Sequence, residues 1–161
     1  MTKWSDEILM KLAEGKLDSQ TLLELQRAPK EEDRFERMIA IEQKRVPWKD
    51  KIVLVLQENL YIVEKNKGER IVKCMCGHEF CDYHQNWKME ALVYARDTNE
   101  KLNEVWQAER IPDPTWCIIR EFYCPSCGVQ LDVETAMPLY PIVFNFLPDL
   151  DGWEARRKAK D

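Results

Sequence analysis

The sequence predicts an α+β protein with a helical arm, an antiparallel β meander and an extended C-terminal arm. Three observations predict this fold class. Residues 1–48 place apolar side chains at helical spacing, and residues 49–136 change to β-rich runs around two pairs of cysteines. Residues 137–161 open with an apolar stretch that three prolines interrupt, which excludes it from a central strand. We take these three ranges as the expected domains.

The N-terminal arm carries three predicted helix starts. The residues that mark them are Ser5, then Asp18 or Ser19, and finally Pro29. The first helix is expected over residues 6–13, with Gly15 as its C-terminal cap. The third helix is expected to open at Pro29 and to hold Glu31, Glu32 and Asp33 in its first turn. An arm with such short apolar stripes needs a surface to lie on, either the β domain or another chain.

The β domain begins with a hairpin signal, because residues 52–56 and 60–63 are β-rich and three polar residues separate them. A turn at 65–68 then leads into a strand that reaches Cys74. Further on, we expect a strand at 91–96 followed by a helix that Asp97 or Thr98 caps and that continues through Trp106. Return strands are expected at 118–123 and 129–133.

Two short cysteine motifs lie between these predicted strands and resemble the two halves of a zinc ribbon. They are Cys74-Met75-Cys76-Gly77-His78 and Cys124-Pro125-Ser126-Cys127-Gly128. Zinc prefers four tetrahedral sulfur or nitrogen ligands, and each tight turn supplies two thiolates. The simplest ligand set is Cys74, Cys76, Cys124 and Cys127. Because the first motif has the less usual Cys-x-Cys spacing, His78, Cys81 and His84 stay open as alternatives for Cys74 or Cys76.

Three other interpretations of the cysteines have weaker support in the sequence. The first residues of the sequence contain no apolar leader segment, so we expect a cytoplasmic protein with reduced thiols rather than disulfides. A thioredoxin-like pair needs a helix N-terminus, whereas the second motif leads into a strand. A catalytic couple of Cys81 and His84 has no third group to orient it. Cys117 is expected to be a buried small hydrophobic residue.

Composition limits the remaining functions. The 161 residues carry 24 Lys plus Arg against 29 Asp plus Glu, a net charge of -5, which disfavours nucleic-acid binding. No apolar run approaches the roughly 20 residues of a membrane span. Six Trp and five Tyr are numerous for one small core and suit an interface equally well. The apolar run after Met137 lies either on a partner subunit or on the chain itself, and the basic residues at 156–160 are expected to form a solvated helix end.

Several motifs in this order resemble the small subunit of the acetone carboxylase family over nearly the whole chain. Besides the two cysteine motifs, they are Pro47-Trp48, Phe80-Cys81-Asp82, Asn86-Trp87-Lys88, Ala95-Arg96-Asp97-Thr98, Arg120-Glu121-Phe122-Tyr123, Tyr140-Pro141 and Phe146-Leu147-Pro148-Asp149. The related acetophenone carboxylases have a similar small subunit. The resemblance therefore indicates the family more firmly than it indicates which ketone is the substrate.

The resemblance implies a biotin-free enzyme built from two large, two medium and two small chains. Such an enzyme converts acetone, bicarbonate and ATP to acetoacetate, AMP and phosphate. ATP and a manganese-type metal are expected on the larger partner subunits, and zinc in this chain. No glycine-rich phosphate loop is evident here. We therefore expect a structural and assembly role rather than a catalytic one, and a stand-alone zinc ribbon that binds protein or nucleic acid is the alternative.

Overall fold

A computed structural model describes residues 4–66 and 68–158, and it has the mixed helix and antiparallel-sheet architecture that the sequence predicts. The helices are α1 (Asp6–Ala13), α2 (Ser19–Arg27), α3 (Arg34–Arg45), α4 (Asn99–Asn103) and α5 (Leu150–Lys158). The strands are β1 (Lys51–Gln57), β2 (Leu60–Glu64), β3 (Arg70–Cys74), β4 (Glu79–Asp82), β5 (Leu92–Arg96), β6 (Ile118–Tyr123) and β7 (Gln130–Ala136). Trp87–Met89 and Ala108–Arg110 form single 3₁₀ turns.

The first two helices begin as their capping residues predict, and the first also ends as predicted. The Ser5 hydroxyl accepts a hydrogen bond from the backbone N–H of Ile8, and the Asp18 carboxylate accepts one from that of Thr21. Gly15 has a φ of 67°, the left-handed conformation that ends many helices. The three N-terminal helices share a small core whose buried members are Leu9, Leu25 and Ile41. The arm is therefore a folded unit and not a set of isolated helices.

Two expected helix boundaries are wrong. Helix α3 begins at Arg34 and not at Pro29. The Glu31 carboxylate, expected in its first turn, instead accepts a hydrogen bond from the backbone N–H of Trp4, a tertiary contact that holds the preceding segment outside the helix. Helix α4 begins after Thr98 as predicted but ends at Asn103 and not at Trp106. There the carbonyl of Lys101 accepts a hydrogen bond from Arg96, and the chain tightens into turns.

The β meander divides into two antiparallel sheets. Strands β1-β2-β3-β4 form the first sheet and β5-β6-β7 form the second. The predicted hairpin joins β1 to β2 through Glu58 and Asn59, and β4 is a strand that the sequence pattern did not indicate. Helix α3 packs on the first sheet, where Val46, Ile52 and Tyr61 are buried together.

A second and larger core lies between the two sheets. It contains Leu60 and Val72 from the first sheet, Phe122 and Leu131 from the second, and Trp87 from the segment that connects them. Cys74 and Cys124 belong to the same core. The turn after β3 and the turn after β6 are thereby brought together, and these are the two turns that carry the cysteine motifs.

The C-terminal run is extended, as its prolines require, and lies on its own chain. Ile142 and Leu150 pack against the core between the sheets. The guanidinium of Arg120 donates a hydrogen bond to the carbonyl of Tyr140, and Arg70 forms ion pairs with Asp151 and Glu154 of α5. Other apolar residues of the run face outward: Met137, Leu139, Tyr140, Val143, Phe146 and Leu147. One side of the segment thus lies on its own chain, and the other side is exposed.

The described part of the basic end is exposed, as expected, and it also contacts the N-terminal arm. In α5, Arg157 forms a 2.8 Å ion pair with Glu36 of α3, and Trp153 lies edge-on to Phe35 with ring centroids 5.2 Å apart. These contacts connect the C-terminal helix to the N-terminal arm. Lys160, which was expected in the same basic end, lies outside the described residues.

Candidate metal centre

The first cysteine turn closes the β3–β4 hairpin. The backbone N–H of Cys74 donates to the carbonyl of His78 at 2.8 Å, and that of Gly77 donates to the carbonyl of Cys74 at 2.9 Å. Gly77 has a φ of 101°, a backbone conformation that residues other than glycine adopt only with strain. The Cys-x-Cys spacing therefore folds as a tight turn, with Cys74 buried and Cys76 exposed.

The second cysteine turn closes the β6–β7 hairpin in the same way. The backbone N–H of Cys124 donates to the carbonyl of Val129 at 3.0 Å, and that of Gly128 donates to the carbonyl of Cys124 at 2.9 Å. Cys124 is buried and Cys127 is exposed. Each turn thus offers one thiol from the core and one from the surface.

The four sulfur atoms of these turns form one cluster and lie within 4.8 Å of one another. Two separations are 3.9 Å, between the sulfurs of Cys74 and Cys127, and 3.7 Å, between those of Cys76 and Cys124. Tetrahedral zinc with bonds of about 2.3 Å to sulfur requires neighbouring sulfurs about 3.8 Å apart. The four thiols therefore fit a single zinc ion, with two ligands from each sheet.

Burial and hydrogen bonding act on these thiols in opposite directions. Burial raises the pKa of Cys74, and it also raises the pKa of Cys127. Burial disfavours the thiolate of Cys76 too, but hydrogen bonds from the backbone N–H of His78 and from the neighbouring thiols outweigh it, so the pKa of Cys76 is lowered. Among these thiols, hydrogen bonding thus favours the thiolate of Cys76, the exposed cysteine of the first turn.

A side chain from outside the sheets supports the first turn. The indole N–H of Trp48 donates to the carbonyl of Met75 at 3.0 Å, and the ring lies so close to Gly77 that a Cβ there would be 3.4 Å from it. The ammonium group of Lys73 lies 5.1 Å from the centre of the same ring and pairs with Asp50 and Glu79. Neither Trp48 nor Lys73 was predicted from the sequence to lie at the site, although Trp48 directly follows Pro47.

The alternative ligands lie outside the cluster. Among the described residues, the group able to hold a metal contains the four cysteines and neither His78, Cys81 nor His84. The ring of His78 packs edge-on to Phe80, with centroids 4.8 Å apart, and Nδ1 of His84 is 2.6 Å from a carboxylate oxygen of Asp82.

Cys81 differs from a catalytic nucleophile in its protonation. Burial, with Glu90 and Asp82 adding negative charge nearby, raises the pKa of the Cys81 thiol to about 11. A nucleophilic cysteine needs the opposite shift. Cys117 is only partly buried and does not belong to the core between the sheets, so the expectation that it is a buried hydrophobic residue holds in part.

Comparison with known proteins identifies the family. The family model for the acetone carboxylase gamma subunit matches residues 46–158, which include both cysteine turns and the C-terminal run. The chain belongs to the acetone carboxylase gamma subunit family. It is 42% identical over 146 residues to the acetone carboxylase gamma subunit of Xanthobacter autotrophicus, a match that covers 90% of this chain and 87% of that protein. The expected resemblance is confirmed.

A second relative is less similar in sequence to this chain. The chain is 35% identical over 85 residues to the acetophenone carboxylase beta subunit of Aromatoleum aromaticum, which covers 52% of this chain and 66% of that protein. Both relatives are subunits of carboxylases.

Among the helices of residues 4–66 and 68–158, none is long and apolar enough to cross a bilayer.

Proposed function

We propose that this chain is the zinc-binding small subunit of a biotin-free, ATP-dependent acetone carboxylase in the cytoplasm. The observation that carries the proposal is the 42% identity to an acetone carboxylase gamma subunit over nearly the full length of both chains. The match to the acetophenone carboxylase subunit is shorter and lower in identity, which favours acetone as the ketone. The reaction would join acetone and bicarbonate to give acetoacetate, with ATP converted to AMP and phosphate.

In this proposal the chain is structural and the chemistry takes place on its partners. The complex would contain two copies each of a large subunit, a medium subunit and this chain. The large and medium subunits would carry ATP and a manganese-type metal. Here zinc would be held by Cys74, Cys76, Cys124 and Cys127, and we assign no catalytic residue to this chain. The ion would fix the β3–β4 turn of one sheet to the β6–β7 turn of the other, so that the surface presented to the larger subunits has one shape.

The N-terminal helices and the C-terminal run are proposed as the parts that hold the larger subunits. Their supporting feature is apolar surface, because Leu23 on α2 and the outward residues of the C-terminal run are exposed. A stand-alone zinc ribbon that binds protein or nucleic acid remains the second candidate. Nucleic-acid binding is opposed by the net charge of -5.

Native mass spectrometry of the chain isolated gently from its own cells tests the assignment. The expected result is a mass far above the 19.2 kDa of the chain, which resolves into two larger companion chains plus zinc. A lone 19.2 kDa monomer with one metal ion would instead favour the stand-alone ribbon. Binding to DNA or RNA that weakens as the salt concentration rises would favour a ribbon that binds nucleic acid.

A cysteine substitution tests the role of the ion. Cys124→Ser removes one buried sulfur from the cluster, and we expect the variant to lose both zinc and the larger subunits. Cys117→Ser is the matched control, because this partly buried cysteine lies outside the four-sulfur group. Zinc content and the co-purifying chains are measured for both. A Cys124→Ser protein that assembles and functions normally contradicts the structural role of zinc.

A further inference from the structure

A tight turn at the start of the C-terminal run holds a leucine in an unusual conformation. The backbone N–H of Tyr140 donates to the carbonyl of Met137 at 3.1 Å, so Pro138 and Leu139 occupy the two central positions of a β-turn. Leu139 has a φ of 65°. Proline at the first central position and positive φ at the second are the pattern of a type II turn, in which the second position is normally glycine or asparagine.

The side chain of Leu139 gains nothing from its own chain. It is 99% exposed, so its packing does not offset the free-energy cost of a left-handed backbone at a branched side chain. It also presents apolar surface to solvent. Glycine would make the same turn without either cost. A leucine here is accounted for if the side chain is buried in the assembled protein.

The turn is rigid at its base. The Arg120 guanidinium, itself buried, donates to the carbonyl of Tyr140 and pairs with Glu134. Glu134 also pairs with Lys88, whose side chain is only 4% exposed. A network of charged side chains, in which Arg120 and Lys88 are buried and Glu134 is partly buried, therefore fixes the residue next to Leu139. A side chain held on a fixed base loses little conformational entropy when it binds, which is the property of a preorganised contact.

We propose that Leu139 is an anchor that inserts into an apolar pocket on a larger subunit of the carboxylase. This inference rests on the proposed function and names the contact surface within it. The surroundings define the chemistry of the partner: residues 135–148 carry no charge, although 33% of the chain is charged. The exposed side chains of Met137 and Tyr140 flank the anchor. The pocket that receives it is therefore uncharged, and the contact is insensitive to salt.

The test uses the complex purified through an affinity tag on this chain from its own cells. Leu139→Asn removes the apolar side chain and places at this position a residue that tolerates positive φ. The isolated variant should unfold at the same temperature as the wild type or higher. In the complex, loss of a buried leucine should raise the apparent dissociation constant for the larger subunits roughly 10- to 100-fold. Leu139→Met should keep the affinity, because its side chain is apolar and of similar volume.

Leu92→Ala is the matched control, since it removes another exposed leucine from a different element, β5, outside the N-terminal helices and the C-terminal run. It should leave the dissociation constant within a factor of three of the wild type. A Leu139→Asn complex that dissociates as the wild type does would overturn the anchor while leaving the proposed function intact. A wild-type chain that brings down no larger subunit would overturn the proposed function itself. If the isolated wild type is a dimer that Leu139→Asn converts to a monomer, the pocket belongs to a second copy and the proposal is wrong.

Discussion

The indole of Trp48 connects the N-terminal arm to the first cysteine turn. Its N–H is hydrogen-bonded to the carbonyl of Met75, the residue between Cys74 and Cys76, and its ring packs against Gly77 and Tyr61. A metal site depends on such supporting contacts as well as on its ligands, because they fix the positions of the ligands. This side chain is therefore the point at which the arm influences the metal centre.

Trp48→Phe separates the hydrogen bond from the packing. Phenylalanine retains most of the apolar contact but cannot donate to Met75, and the loss of one such bond costs about 1 kcal/mol. We expect zinc to leave for a chelator roughly fivefold faster, as followed with a colorimetric metal indicator. Trp116→Phe, at an indole exposed to solvent, is the control and should release zinc at the wild-type rate. Equal rates for all three proteins would show that the hydrogen bond from Trp48 does not support the site.

Among the elements, two helices of the N-terminal arm are connected through the carboxylate of Glu31. Glu31 lies in the turn before α3 and binds two groups: it accepts the backbone N–H of Trp4 at 2.8 Å and forms an ion pair with Arg34. The hydrogen bond from Trp4 is the main reason that the pKa of Glu31 falls from 4.5 to about 2. The start of α1 and the start of α3 are thereby connected through a group that titrates.

The sign of the pH effect follows from that lowered pKa. Because the folded arm favours the ionised carboxylate, its contribution to stability is present above about pH 4.5 and is lost as the pH falls towards 2. Glu31→Gln should therefore be less stable to urea than the wild type at pH 7, and this difference should shrink between pH 4.5 and 2. Glu32→Gln, at the exposed neighbour, should show no difference at either pH. A gap that stays constant down to pH 2 would contradict the role of the charge.

Local signals predicted those elements whose ends depend on neighbouring residues. The caps at Ser5 and Asp18, the strand ending at Tyr123 and the turn at Gly128 were all readable in the sequence, because each is decided within a few residues. One error occurred where a distant group intervened, because Trp4 takes the carboxylate of Glu31 from 27 residues away. The other error has a local cause: Arg96 takes the carbonyl of Lys101, five residues away, a side-chain contact that the helical pattern does not represent.

The same distinction applies to the candidate site. The four cysteines could be selected because a tight turn with glycine presents thiols together, whatever surrounds it. The support from Trp48 and Lys73 could not be predicted, because it depends on how the arm lies against the first sheet. The same holds for the division of the meander into two sheets, which the sequence pattern represented as one.

On the scale of the whole molecule, three groups of contacts among the described residues hold the two sheets together, besides the hydrogen bond from the Gln57 side chain to the carbonyl of Leu131. One is the core around Phe122 and Trp87, the second is the four-sulfur cluster, and the third is the C-terminal run, which contacts the second sheet at Arg120 and the first at Arg70. The N-terminal arm has its own core. Removing the metal therefore takes away one of these connections and leaves both the apolar core and the arm in place.

We accordingly expect the metal-free chain to stay folded but to lose stability and thiol protection. After chelation, far-UV circular dichroism should be nearly unchanged, while the unfolding temperature should fall by at least about 10 °C, since ligand binding energy adds to folding energy. Alkylation followed by mass spectrometry should label four additional cysteines, those at 74, 76, 124 and 127. Hydrogen exchange should accelerate in the two cysteine turns and not in α1. The Cys124→Ser protein should show no further change with chelator. Complete loss of dichroism would mean that the ion, and not the core between the sheets, is what holds this fold together.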